Sequence, residues 1–249
     1  MPLRAIVRPP GASYPRALTA LVSPPPVDLA LARAQHAAYV EALRACRVEV
    51  IELAPDDEHP DAVFVQDPVL VIDGRAIVLR SGAESRRGEA PALVAVLERH
   101  LPIVGLQPPA TLDGGDVLVA DRAIYVGLST RSNRVGCRQL EELTGRRVVG
   151  VHLPPGLLHL LSGCTWLGEN RLLTVDALAP AFPQFEPVLV PAAESPAANV
   201  LVIGTHAIVP AGHPTVSALL EERGFVVHPV ECSEFEKRDG GVTCRALLF

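Results

Sequence analysis

Short apolar runs rich in valine and isoleucine recur along the chain: RAIVRP, VEVIEL, AVFVQDPVLVI, RAIVLR, DVLVA, AIYVGL, RVVGVHL, NVLVIG, HAIVPAG and FVVHPVE. Glycine, proline and aspartate bound them, and runs of that length and composition predict strands. Several come as close pairs across a polar turn. VLVIDGRAIVL is the clearest, because Asp73-Gly74 suits the left-handed angles of a tight hairpin. DVLVADRAIYVGL and NVLVIGTHAIVP repeat the arrangement. Between the pairs, VDLALARAQHAAYVEALRA, APALVAVLERH, SNRVGCRQLEELTG and PTVSALLEERGF place apolar residues three and four apart, which predicts amphipathic helices. RPPGASYP and VSPPPV read as loops.

A strand pair, a helix and a further strand therefore recur at intervals of roughly fifty residues, a spacing typical of propellers and repeat arrays. The repetition is one of pattern and not of sequence identity. No linker-like stretch divides the chain, so residues 1–249 read as a single α/β domain. The last residues are unusual. CRALLF has the character of a buried strand, whereas chain ends ordinarily fray.

Composition narrows the function. Hydrophobic residues make up 49% of the chain and aromatics only 4%, so the core is aliphatic. A net charge of −6 without a basic block argues against nucleic-acid or anionic-membrane partners. No apolar run is long enough to span a bilayer, and MPLRAIVRPP lacks the apolar core of a signal peptide. The five cysteines, Cys46, Cys137, Cys164, Cys232 and Cys244, show no CxxC spacing. Free thiols in a reducing cytoplasm, without structural zinc or cofactor, are the expectation.

Four stretches carry candidate chemistry. DAVFVQDPVLV sets Asp61, Gln66 and Asp67 against an apolar run, where burial is costly unless the groups are paired; a strand end and turn is the plain alternative. LDGGDVLV flanks two glycines with Asp113 and Asp116, which presents both carboxylates at the mouth of a strand or simply makes a solvated turn. His159 in GLLHLLSGCTW is either a core histidine or a general acid/base. In SEFEKRDGGVTC, Cys244 is a small buried hydrophobe or a nucleophile, and Gly240-Gly241 clear space beside it. All four lie at the edges of predicted strands, as residues gathered in the mouth of a closed β architecture would.

These residues carry a resemblance. The stretches ALT, QHAAY, HPDAVFVQDP, GAESRRGE, LDGGDVL, STRSN, LLHLLSG, AAN and SEFEKRDGGVTC occur in the order found in dimethylarginine dimethylaminohydrolases, cysteine hydrolases of the guanidine-modifying (amidinotransferase) superfamily. The resemblance covers essentially the whole chain. It implies a five-bladed α/β propeller, or pentein, of pseudo-symmetric ββαβ units. It also implies roles: Cys244 as nucleophile, His159 as general acid/base, Asp113 as the acid paired with that histidine, and Asp67 with Gln66 beside it at the guanidinium. Arg86 and Arg131 would hold the substrate carboxylate, and Asp61 with the Leu18 backbone its α-amino end, Leu18 lying on a mobile lid. No cofactor is required, a small guanidine is the expected partner, and the chain is expected as monomer or homodimer.

Two positions depart from the family pattern. Gln66 stands where an acid is usual, and Arg238 where a neutral residue is common, so both make the pocket region less negative. Arginine deiminases resemble this fold but carry an aspartate two residues after the histidine, where this chain has Leu161. Hydrolysis of an Nω-methylated arginine to citrulline is the implied activity. Another guanidine as substrate, amidino transfer, a non-catalytic binding propeller and a papain-like protease are the alternatives.

Overall fold

The computed structural model describes residues 2–249, and it consists of five three-stranded sheets arranged as a ring. Four follow one another along the chain. The first of these holds β3 (Val69–Ile72), β4 (Arg75–Val78) and β5 (Ile103–Gly105). Next come β6 (Val117–Val119), β7 (Ile124–Gly127) and β8 (Val148–Val151), then β9 (Cys164–Gly168), β10 (Arg171–Val175) and β11 (Glu186–Val190). The last set is β12 (Leu201–Ile203), β13 (His206–Pro210) and β14 (Val226–Val230). In each, the first two strands are antiparallel and the third joins parallel to the second. A parallel neighbour requires a crossover. Helices α2 (Ala90–Leu97), α3 (Arg134–Thr144) and α4 (Pro214–Glu221) supply it in three of the four. In the β9–β11 sheet a single 3₁₀ turn, Ala179–Ala181, does so.

The fifth sheet joins the two ends of the chain. β1 (Arg4–Val7) pairs parallel with β2 (Glu49–Glu52) across α1 (Leu29–Ala45), and antiparallel with β15 (Leu247–Leu248). The closing strand thus comes from the CRALLF tail. The fold class is the five-bladed α/β propeller expected of the sequence.

Local chemistry explains the boundaries. Asp28 and Asn133 cap α1 and α3 by accepting the backbone N–H of Leu31 and Gly136, and Gly145 ends α3 at φ 68°. Asp73 and Gly74, at φ 48° and 73°, make the tight turn between β3 and β4. The AVFVQ half of the AVFVQDPVLVI run is not a strand: residues 62–66 turn and only Val69–Ile72 pairs. Conversely β5 and β9–β11 were not among the predicted strands. Between β9 and β10 the turn is made by Glu169 and Asn170, both at positive φ, a pair without the Asn-Gly or Asp-Gly signature.

The core consists of five apolar seams, each shared by neighbouring sheets. Ile6 and Leu247 meet Val69 and Ala76; Ile72 and Ile77 meet Val117 and Ile124; Tyr125 and Val151 meet Cys164 and Leu172. Leu173 and Val188 meet Ala207 and Val209, and Ile203 and Ile208 meet Ala5 and Leu43, completing the ring. A sixth cluster, Tyr14, Ala17, Phe64 and Phe235, seats the N-terminal loop over Cys244. No helix among the described residues is long and apolar enough to cross a membrane.

Candidate active site

Cys244 sits in a 3₁₀ turn, Thr243–Arg245, immediately before β15. Gly240-Gly241 line the cleft beside Cys244 with their backbone, while the positions that side chains would take are filled. A Cβ on Gly240 would meet the Phe64 ring at 2.3 Å, and one on Gly241 would meet Asn199 Oδ1 at 2.3 Å. The glycines let an aromatic ring and an amide press against the turn that carries Cys244. Asn199 Oδ1 accepts from Thr243 N at 3.1 Å, while its Nδ2 donates to Thr243 Oγ1 at 2.8 Å and to the Leu161 carbonyl at 2.9 Å. It therefore ties the cysteine turn to the loop that bears His159.

His159 and Cys244 line one cavity with Leu18, Asp61, Asp67, Arg86 and Arg131. Seven of the nine sequence-predicted residues are thus brought together, although they span 227 positions of the chain (244 − 18 + 1). The cavity measures ≈ 30 Å³, about the space of one water molecule. An adjoining cleft of ≈ 240 Å³ shares Cys244, His159, Leu158, Asp239 and Gly240.

The pairing of the histidine differs from expectation. His159 Nδ1 lies 3.3 Å from Asp116 Oδ2, so Asp116, and not Asp113, is its nearest carboxylate. The approach is off the line of a good hydrogen bond, because that oxygen already accepts the hydroxyls of Ser129 at 2.5 Å and Ser132 at 2.6 Å. Asp116 Oδ1 accepts Leu160 N, which fixes the histidine loop as well. Asp113 instead accepts Gly82 N through Oδ1, and its Oδ2 is 3.7 Å from Arg131 Nη1, with no hydrogen-bond partner. The short aspartate side chain, held by the Gly82 loop, does not reach the ring.

Gln66 is also displaced from its expected role. It lines the separate cavity at the inner strands β3, β6, β9 and β12, with Thr165, Thr243 and Leu247, and its buried Oε1 has no partner. Residues 66 and 67 are successive, and the turn at 62–66 sends only Asp67 toward Cys244.

Asp67 is the hub of the charge network. Its Oδ2 receives Arg86 Nη1 at 2.6 Å and its Oδ1 receives Gly115 N at 2.8 Å. A Cβ on Gly115 would lie 3.1 Å from both Asp67 Oδ1 and the His159 ring, so glycine permits this approach. Arg86 does not present a free fork to a carboxylate ligand. Nε and Nη2 bind Glu89, and Nη2 also donates to the Asp61 and Phe64 carbonyls. Asp61 Oδ1 accepts Leu18 N at 3.0 Å, a direct contact between the two residues expected at the α-amino end.

Electrostatics follow from this layout. Burial disfavours charge on Asp67, but Arg86, His159 and two hydrogen bonds outweigh it and hold the carboxyl below its ordinary range. Burial and the neighbouring Asp67 raise Asp113. For His159, burial opposes the imidazolium, and Asp116, Asp67 and Asp113 together overcome that and raise its pKa. Burial, then the Asp67 charge, push the Cys244 thiol up to about 11.

Arg238, expected beside the pocket, does line the cavity with Cys244, and it has a further role that the sequence does not show. Its buried guanidinium donates to the carbonyls of Pro15 at 2.8 Å and of Pro25 at 3.3 Å, and Lys237 Nζ donates to that of Pro26 at 2.9 Å. Asp239 Oδ2 accepts Ala20 N at 2.6 Å. Residues 237–239 thus fasten the loop that carries Leu18.

A ring of five ββαβ-type sheets with a thiol, an imidazole and clustered carboxylates at one mouth defines the pentein class of guanidine-modifying proteins. Residues 26–163 match the model of the eukaryotic N,N dimethylarginine dimethylhydrolase family. The chain is 37% identical to the N(G),N(G)-dimethylarginine dimethylaminohydrolase of Pseudomonas aeruginosa over 89% of this chain and 90% of that one. To the protein of the same name from Streptomyces coelicolor it is 39% identical, over 97% and 95%. A solved structure of the Pseudomonas aeruginosa enzyme, a cysteine-to-serine mutant complexed with citrulline, superposes with a TM-score of 0.95 at 36% identity over the whole of both chains. The N-terminal domain of ArgZ, a cyanobacterial arginine dihydrolase, shares the fold, with a TM-score of 0.87 at 21% identity. The chain belongs to the dimethylarginine dimethylaminohydrolase family and is an enzyme of that family.

Proposed function

We propose that this protein hydrolyses Nω-methylated L-arginine, dimethylated or monomethylated, to L-citrulline and the corresponding amine, through a covalent intermediate on Cys244. The observation that carries the reading is the shared cavity of Cys244, His159 and Asp67, with Asp61 and Arg131 on its wall. The solved relative with citrulline supports the product.

A guanidinium is a flat, resonance-stabilised cation and a weak electrophile. Asp67 grips it, and the orphan Oδ2 of Asp113 offers a second acceptor nearby. Because Arg86 Nη1 holds Asp67 Oδ2 at 2.6 Å and Glu89 with two carbonyls fixes the rest of its fork, the substrate guanidinium shares Asp67 with Arg86, and Arg131 is left to meet the substrate carboxylate. Opening of the loop around Leu18 admits the substrate, since ≈ 30 Å³ holds no arginine derivative.

The substrate's positive charge lowers the thiol pKa that burial and Asp67 have raised, so the nucleophile ionises as its target arrives. The thiolate attacks the central carbon. His159, kept protonated by its carboxylates, gives its proton to the departing methylated amine, leaving an S-alkylthiouronium and a neutral imidazole. The imidazole takes a proton from water as the oxygen adds to the thiouronium carbon. Collapse of that adduct, with the hydroxyl proton lost to solvent or to the released amine, frees citrulline and regenerates the thiolate.

Leu161 favours a methylated substrate over free arginine. Its side chain borders the cleft at His159, where a second carboxylate would otherwise grip the nitrogen that carries the methyl groups. Gln66 bears less on this choice than the loss of its acid suggests, since it faces another cavity; Arg238 lines the cavity with Cys244, and its guanidinium is held there by the Pro15 and Pro25 carbonyls. Citrulline release from asymmetric dimethylarginine, with Cys244→Ser as control and free arginine alongside, tests the proposal. Turnover of arginine in preference to the methylated compound overturns the substrate assignment.

A further inference from the structure

Away from the cleft, three metal-binding side chains converge on the seam between the sheet that closes the ring and the β12–β14 sheet. They are Cys46, His206 and His228, whose ligand atoms all lie within 4.8 Å of one another. β13 and β14 are parallel, with Ile208 opposite His228 and His206 opposite Val226. Positions 206 and 208 share a face, as do 226 and 228, so both imidazoles stand on one side of the sheet. Cys46 is the residue that ends α1, and it is buried in the apolar seam with Ile208 and Val230 from that same face. The two histidines are half-buried.

His206 Nδ1 and His228 Nε2 are 2.9 Å apart. A single proton can sit between them, because protonating both facing nitrogens would oppose two cations at hydrogen-bond distance. The pair is therefore set up to present a ring nitrogen lone pair beside a thiol, which is the ligand chemistry of zinc. Tetrahedral Zn–N bonds of about 2.0–2.1 Å place two nitrogens roughly 3.3 Å apart, so widening the pair by a few tenths of an ångström admits the ion. Separate elements supply the ligands: the end of α1, the first residue of β13, and the middle of β14.

We propose that Cys46, His206 and His228 form a zinc site, with water as fourth ligand on the half-exposed histidine side, which clamps α1 to the β12–β14 sheet. On binding, the Cys46 thiol gives up its proton to solvent, the proton between the imidazoles moves by solvent exchange to the ring nitrogen facing away from the ion, and Cys46 Sγ, His206 Nδ1 and His228 Nε2 each donate a lone pair. The role is structural. The seam also holds Val242, whose carbonyl accepts the Tyr39 hydroxyl from α1 at 2.7 Å, two residues before Cys244.

The test uses full-length protein carrying Cys244→Ser, so that the active-site thiol cannot compete. Cobalt(II) added to that protein is expected to give a thiolate-to-cobalt charge-transfer band saturating at one equivalent. Zinc is expected to displace the cobalt and raise the melting temperature. Adding Cys46→Ser should abolish the band, and adding His228→Gln should weaken binding at least tenfold, measured against a chromophoric chelator. Circular dichroism of the metal-free variants establishes that each is folded. Absence of the band, or its persistence unchanged with Cys46→Ser, overturns the site, as does a melting temperature indifferent to zinc. None of these readouts depends on hydrolase activity, so the proposal stands or falls separately from the substrate assignment.

Discussion

The Cys244 thiol and the His159 imidazole start from opposed positions. Burial and the Asp67 charge disfavour the thiolate, while surrounding carboxylates favour the imidazolium. Alkylation of Cys244 by a neutral haloacetamide is therefore expected to rise with pH up to about 11, whereas a cationic haloacetamidine labels it rapidly at neutral pH. Equal pH profiles for the two reagents would contradict substrate-assisted ionisation. The histidine gives a second test. Asp116→Asn removes a carboxylate that holds His159 protonated, so the alkaline limb of the kcat profile should move to lower pH, with a loss of about 10²-fold or more in kcat. Asp113→Asn should act mainly on KM, because Asp113 does not meet the ring. The sequence made both aspartates visible but not their division of labour. They flank the same two glycines, and which one faces the histidine depends on Ser129, Ser132 and Gly82, which come from other turns. Gln66 departs from its expected place for a related reason: adjacent residues in a turn can line different cavities.

At the level of elements, the site depends on how loops are held together. Asn199→Ala is expected to cost about 1–3 kcal/mol of stability by leaving Thr243 N and the Leu161 carbonyl without partners. It should also lower kcat in the folded protein, because the cysteine and histidine loops lose their bridge. A urea titration alongside kcat separates the effects, and a kcat unchanged in the folded fraction would deny Asn199 a positioning role. Arg238→Met frees the carbonyls of Pro15 and Pro25, so amide exchange across residues 16–27 should accelerate about tenfold for each 1.4 kcal/mol lost, with little change in α3 or α4. Legibility at this scale followed turn chemistry. The Asp73-Gly74 hairpin and the capped helices were visible, while the β9–β11 sheet was not, since its turn uses Glu169-Asn170 and its crossover has no helix. Strands of three to five residues with a polar edge resemble loops until their neighbours are known.

At the level of the whole molecule, five seams and a strand from the far end of the chain complete the ring. One seam element carries an acid sensitivity. His36, on the inner side of α1, is buried, and burial followed by the nearby Arg245 cation lowers its pKa to about 3. An unfolded histidine binds its proton near pH 6.5, so stability held above that pH is lost as pH falls toward 3, at about 1.4 kcal/mol per pH unit. The urea midpoint should fall between pH 6.5 and 5, and His36→Phe should flatten that dependence. An unaltered slope would assign the acid sensitivity elsewhere.

The position of β15 also sets the order of events during synthesis. A ribosome makes Leu18, Asp67 and His159 long before Cys244, and the last pairing partner of β1 only after that. The sheets made earlier can pack while β1 still lacks β15, yet the cleft, which already holds Cys232, gains the Cys244 thiol beside His159 only when residues 243–248 clear the exit tunnel. Reactivity toward guanidines, on this view, waits for the segment that carries Cys244 and pairs β15 with β1, and a nascent chain stalled before position 244 would lack the thiol.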